Sequence, residues 1–196
     1  GGVRAERRHH LIQRPGELGD FRASPRWRHL HVLGPVVMTE ALRGTLRGGR
    51  MVLVSSGGMY AQALRADDPG YVTGDYSPTT AYARSKRMQV ELAPLLAERW
   101  AGDDVTVAVM HPGWADTPGV QESLPTFQRL TRPVLRDDAQ GADTSVWLAA
   151  VEPAPPTGRF WHDRVERPTS LLPTTRPTPD ALARAWSWLE DAASLG

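Results

Sequence analysis

Tyr82 and Lys86 stand four residues apart at the start of a helical pattern, so their side chains share one face and can act together. A phenol, with a reference pKa of about 10, is a poor acid or base near neutrality, but a cation held beside it favours the phenolate. Lys86 could supply that cation. Ser56 closes the apolar run that precedes this helix, and its hydroxyl could hold a substrate oxygen where proton transfer needs it. Taken alone, the Tyr-x-x-x-Lys spacing also suits two exposed helix residues. The composition singles out the lysine: of 23 Lys and Arg residues, Lys86 is the only lysine, which leaves 22 arginines. A compact ammonium fits a place beside a phenol that a planar guanidinium would fit poorly.

These side chains need elements to position them. An apolar stripe of Val32, Leu33, Val36, Val37, Ala41 and Leu42 predicts a helix over 30–46, ended by Gly48-Gly49. Met51-Val-Leu-Val54 reads as a strand buried on both faces, stopping at Ser55-Ser56-Gly57-Gly58. A polar loop runs to about residue 80. Helical periodicity returns over 81–100, with Met88, Leu92, Leu95 and Leu96 on one side. A second buried strand is expected over 105–110, ended by His111-Pro112-Gly113. Then come a Pro-punctuated segment over 114–137, a helix over 139–150, a third short strand over 159–161, and an amphipathic helix over 179–193 carrying Leu182, Trp186 and Leu189. This alternation is the rhythm of an α/β fold with a parallel sheet. Ligands in such sheets sit beyond the carboxyl ends of the strands, which here carry the Ser-Ser-Gly-Gly and His-Pro-Gly turns.

The 196 residues, 40% hydrophobic and 23% charged, have the makeup of one globular domain. A net charge of +1 gives no general case for nucleic acid or an anionic membrane as partner. The absence of Cys excludes a disulfide scaffold, a thiolate zinc site and a cysteine nucleophile. No apolar run approaches the roughly 20 residues that span a bilayer, and no signal-peptide pattern opens the chain, so a cytoplasmic location is expected. Residues 1–28 are set apart by seven Arg, without a trustworthy helical or strand period.

The stretches VLVSSGG (52–58), AYARSK (81–86) and HPGWADTPG (111–119), in that order and on those elements, resemble the catalytic half of the short-chain dehydrogenase/reductase family. HPGWADTPGV, SSGGM and AQGADT (139–144) look most like its member-12 branch. The resemblance implies a Rossmann-like parallel sheet with flanking helices and an NAD(P)-dependent oxidoreductase that moves hydride between a nicotinamide cofactor, NAD or NADP, and a small carbonyl or alcohol. It implies that Tyr82 is the general acid or base and that Lys86 lowers the Tyr82 pKa and bonds the nicotinamide ribose. Ser56 would orient the substrate oxygen. Pro112 and Gly113 would let the backbone approach the nicotinamide, with Thr117 near its carboxamide or the phosphates. Residues 114–137 would form a substrate lid, whose Trp114, Val120, Leu124 and Phe127 suggest a lipophilic substrate or simple packing. A homo-oligomer is a further possibility raised by the family.

Several family features have no counterpart. A Gly-rich turn from strand into helix, an Asn-Ala-Gly turn and the acidic or basic residue that selects the cofactor are all missing. The expectation is therefore a catalytic half over 29–196, N-terminally truncated, behind an atypical segment over 1–28. An inactive remnant or interaction module is the alternative. The family's active-site Asn falls at His31, where an imidazole would keep a proton-relay water or cap a helix. Other chemistries are weaker. A serine hydrolase on Ser56 lacks the glycine two residues before its nucleophile, since Val54 stands there. Histidines 9, 10, 29 and 31 suit a solvated surface better than a metal site. The Arg4, Arg7, Arg8 and Arg14 cluster has no interleaved aromatics to stack on nucleic acid.

Overall fold

In a computed structural model of the chain, the described residues are 29–114 and 136–195. Residues 1–28, most of the expected lid (115–135, including Thr117) and Gly196 lie outside them. A π turn, His29–Leu33, opens into helix α1, Gly34–Leu46, whose Pro35 sits in the first turn, where a missing N–H costs nothing. Strand β1, Arg50–Val54, leads through a 3₁₀ turn, Gly57–Ala61, and a long loop to helix α2, Pro78–Arg99. The Ser77 hydroxyl caps α2 by accepting from the Thr80 N–H. Strand β2, Thr106–Met110, helix α3, Asp138–Ala150, strands β3, Arg159–His162, and β4, Val165–Glu166, and helix α4, Pro179–Ala193, complete the order. Asp137 and Gln140 form a reciprocal capping box at the start of α3.

The sheet runs β1-β2-β3-β4. β1, β2 and β3 are parallel, with Val54 opposite Met110 and Met110 opposite Trp161, so their carboxyl ends align. β4 turns back against β3 as a two-residue antiparallel strand, with Trp161 opposite Glu166. The sequence reading missed it because two residues carry no alternation to detect.

One face of the sheet carries the larger core. Met51, Leu53, Val107, Val109 and Phe160 meet Val36 of α1, Met88, Leu92 and Leu96 of α2, Trp100, and Leu189 of α4. The other face packs Ala108, Met110 and Trp161 under Leu148 of α3. β2 is buried on both faces, as a central parallel strand should be. β1 is not. Its burial alternates, with Met51 and Leu53 covered, Val52 half-buried and Val54 exposed, which corrects the two-faced burial expected for this strand. It is also the edge strand of the described sheet. Gly49 O accepts from Thr106 N and Ser55 N donates to Met110 O, so the backbone groups of Arg50, Val52 and Val54 face away from β2. Val37 and Leu42, expected in the α1 stripe, are likewise exposed, together with Leu30 and Met38. Among the described residues, no helix is long and apolar enough to cross a membrane.

Candidate active site

Ser56, Tyr82, Lys86, Pro112 and Gly113 all sit at the carboxyl end of the parallel strands or on the first turns of α2, where the alternation of elements places them. β1 and β2 run in register, so the Ser-Ser-Gly-Gly and His-Pro-Gly turns emerge side by side. A Cβ on Gly57 would lie 3.7 Å from His111 Nδ1, and the Tyr60 and His111 rings meet edge to face at 6.2 Å.

The end of β1 is pinned to α2 by two bonds. The Ser55 hydroxyl donates to Lys86 O at 2.9 Å, and Lys86 Nζ donates to Val54 O at 2.7 Å. Lys86 Nζ also lies 5.5 Å from the centre of the Tyr82 ring. Lys86 is 8% exposed, and burial lowers its pKa from 10.5 to about 8, because a low-dielectric setting penalises the charged form. Ser56 is half-buried. Its hydroxyl accepts from Gly58 N at 3.3 Å and so caps the 3₁₀ turn, leaving its proton to donate elsewhere.

At the end of β2, His111 Nδ1 accepts from Gly113 N at 3.2 Å, so the neutral His111 ring carries its proton on Nε2. Burial, assisted by His162 and Arg136, lowers the His111 pKa to about 4. The His111 and His162 rings stack at 3.9 Å, and His162 Nδ1 donates to His111 O at 3.1 Å. Gly113 has φ +79°, a left-handed conformation, and a Cβ there would lie 2.7 Å from Arg136 Nε. The close approach that this glycine permits is thus made by Arg136, held in turn by a bidentate pair with Asp163 at 2.5 and 2.8 Å. Arg136 also ties the downstream end of the expected lid to its start, through a bond from its N–H to Trp114 O.

Three sets of contacts were not legible in the sequence, the first made by His31, which the sequence did single out. His31 Nδ1 is 2.8 Å from Ser85 Oγ, and the His31 ring meets Tyr82 edge to face at 5.4 Å. Helix α1 has no side-chain cap, so the capping role considered for His31 is not the one it fills. Arg87 is fully buried, paired with Glu91 at 2.5 Å and donating to Thr169 O and Thr175 O, which anchors the loop after β4 to α2. The Arg136–Asp163 pair is the third. Each joins residues far apart in the chain, which no local spacing announces.

A nicotinamide cofactor fits these residues at one end. A buried, unbranched ammonium beside a phenol is the donor set that a ribose hydroxyl and a reacting oxygen would use. Among the described residues, no glycine-rich turn leads from a strand into a helix to receive the diphosphate.

No protein-family model matches the chain. It is 41% identical over 171 residues to dehydrogenase/reductase SDR family member 12 of Bos taurus, covering 83% of this chain and 53% of the cattle protein. The Homo sapiens protein of the same name is 40% identical over 157 residues, covering 76% of this chain and 48% of its own length. The chain therefore spans about half the length of these curated relatives. The crystal structure of an uncharacterized protein from Mycobacterium paratuberculosis has a TM-score of 0.62 and 23% identity, covering 84% of this chain and 57% of that one, a likeness of fold. Such identity across most of its residues, joined to this parallel-sheet fold, means that the chain belongs to the short-chain dehydrogenase/reductase family.

Proposed function

We propose that these residues form the proton-transfer half of an NAD(P)-dependent oxidoreductase acting on a small carbonyl or alcohol. The observation that carries this reading is the burial of the only lysine beside Tyr82, with its ammonium held at the end of β1. A bound NADH or NADPH would supply the hydride. Tyr82 donates its phenolic proton to the substrate oxygen in reduction and accepts it in oxidation. Lys86 stabilises the negative charge that develops on the phenol oxygen and offers an N–H to the ribose. Ser56, its lone pair engaged by Gly58, donates its proton to the substrate oxygen. Trp114, 53% exposed beyond the His-Pro-Gly turn, gives the substrate side an apolar surface and favours a lipophilic substrate.

The names of the relatives support the oxidoreductase class, while activity in a chain of this length is the proposal. Titration with NADH and NADPH, followed by tryptophan fluorescence and by melting temperature, tests it. Binding of one of them, with turnover of a carbonyl panel that Tyr82→Phe abolishes while sparing cofactor affinity, is the expected result. No response to either cofactor would overturn the proposal for this chain.

A further inference from the structure

His31 is a half-buried titratable group that the proposed chemistry leaves unused, although it touches the residue at the centre of that chemistry. It lies in a π turn, a rare geometry that locally displaces the backbone from the α path. Two rungs fasten this turn to α2. One is Gln89 Nε2, which donates to His31 O at 2.5 Å. The other is the 2.8 Å contact between His31 Nδ1 and Ser85 Oγ.

The direction of the second bond follows from the hydroxyl. Ser85 Oγ donates its single proton to Tyr82 O at 2.7 Å, so towards His31 it can only accept. His31 Nδ1 therefore carries a proton. A line of donors runs from the imidazole through the Ser85 hydroxyl to the backbone carbonyl of Tyr82, while the same imidazole lies edge to face against the Tyr82 ring, with planes at 82°. Tyr82 is thus held at its backbone and at its ring by one side chain. Lys86, one turn further along α2, is occupied with Val54 O and fixes β1 rather than the tyrosine backbone. The ring at 31 stays uncharged near neutrality, because burial and the Lys86 charge lower its pKa from 6.5 to about 4. A second cation beside Lys86 is thereby avoided.

We propose that His31 is a positioning residue for Tyr82: through Nδ1–H, Ser85 Oγ and the edge-to-face contact of the two rings it holds the phenol in a single rotamer beside Lys86. This inference deepens the function proposed above, but its first readout needs neither cofactor nor turnover. The experiment compares the full chain with His31→Leu, which removes the donor at similar bulk, and His31→Asn, which keeps an N–H two bonds from Cβ, as Nδ1 is. NMR three-bond couplings report the Tyr82 χ1 distribution, and imidazole ¹⁵N shifts report the tautomer and titration of His31. The expected results are a single Tyr82 rotamer in the parent and in His31→Asn and an averaged one in His31→Leu. His31 should be an Nδ1–H tautomer with a midpoint near 4 that rises in Lys86→Met.

In a chain that turns over, His31→Leu lowers kcat by about ten- to a hundredfold with cofactor Kd unchanged, and His31→Asn recovers most of it. An unchanged Tyr82 rotamer in His31→Leu, or an Nε2–H tautomer in the parent, overturns the proposal. A parent chain that binds no cofactor refutes the proposed function instead and leaves the NMR comparison to decide the role of His31. If His31→Leu fails to fold, Ser85→Ala breaks the same line of donors from the α2 side, and an unchanged Tyr82 rotamer there is equally fatal.

Discussion

Replacing Lys86 with Met keeps the length and apolar stem of the side chain and removes its charge, which isolates what burying one ammonium costs this fold. The folded-state pKa of about 8 lies below the unfolded value near 10.5, so between those values the unfolded chain binds the extra proton. Stability therefore rises with pH through that window, and the penalty of the buried charge is fully present below pH 8. Integrating between pH 6.5 and 9.5 gives a gain of about 2 kcal/mol for the parent chain. The Met variant lacks this gain. Urea unfolding at half-unit intervals, read as the difference between parent and variant, cancels the other groups that titrate over the same range. The bond from Nζ to Val54 O shifts the difference by a constant and leaves its slope alone. Because the chain has one lysine, its titration can also be followed directly by NMR. A difference that stays flat from pH 6.5 to 9.5, or a lysine midpoint near 10.5, would refute the argument that burial sets the state of this group.

The remaining expectations concern the turns and the core. His111 is held neutral with a pKa of about 4, so the unfolded chain takes up a proton between pH 6.5 and 4 that the folded chain refuses; stability falls by about 3 kcal/mol across that range, and His111→Asn should lessen the fall in acid-unfolding curves. Gly113→Ala forces a Cβ into a left-handed conformation and against Arg136, lowering stability by at least about 1–2 kcal/mol, and adding Arg136→Ala should recover the steric part in a double-mutant cycle by thermal unfolding. Leu148, fully buried on the smaller face of the sheet, should cost about 2–5 kcal/mol when cut to Ala; a loss below 1 kcal/mol would mean that α3 is not held by that contact.

The parts of this fold that could be read from the sequence are those written in local periods. The terminal helix was legible to the residue, since Leu182, Trp186 and Leu189 recur at helical spacing and Thr178 and Pro179 mark its start. β2 was legible because a central parallel strand is nearly all apolar, here Val107 to Met110. β1 has the same composition and misled for that reason: an apolar run records which residues could be buried, whereas the neighbours of the strand decide which are. The α1 stripe failed in the same way at Val37 and Leu42, which are exposed although apolar. Within the candidate site, Tyr82 and Lys86 were visible from spacing alone, because both lie on one helix. His31 and Ser85 are separated by 54 residues and meet only where the π turn His29–Leu33 packs against α2. Arg87 reads as a solvated helix residue beside Lys86, yet it is buried, because the carbonyls it satisfies at Thr169 and Thr175 come from the other end of the chain.

The charges around Tyr82 have a common logic. A resting site that buries an ammonium beside a phenol and an uncharged imidazole is electrostatically incomplete: Lys86 has a carbonyl partner but no carboxylate partner among the described residues, and burial lowers its pKa. Negative charge developing on the Tyr82 oxygen would supply what is missing and strengthen Lys86's hold on its proton. The interaction is then worth more when the phenol has given up its proton than when it has not, which is the condition for a contact to assist a proton transfer rather than merely bind. A charged His31 would repel the Lys86 ammonium and favour loss of the proton that this bias depends on. Its burial against Tyr82 and Ser85 keeps it neutral, so one side chain can position the phenol without adding a second cation.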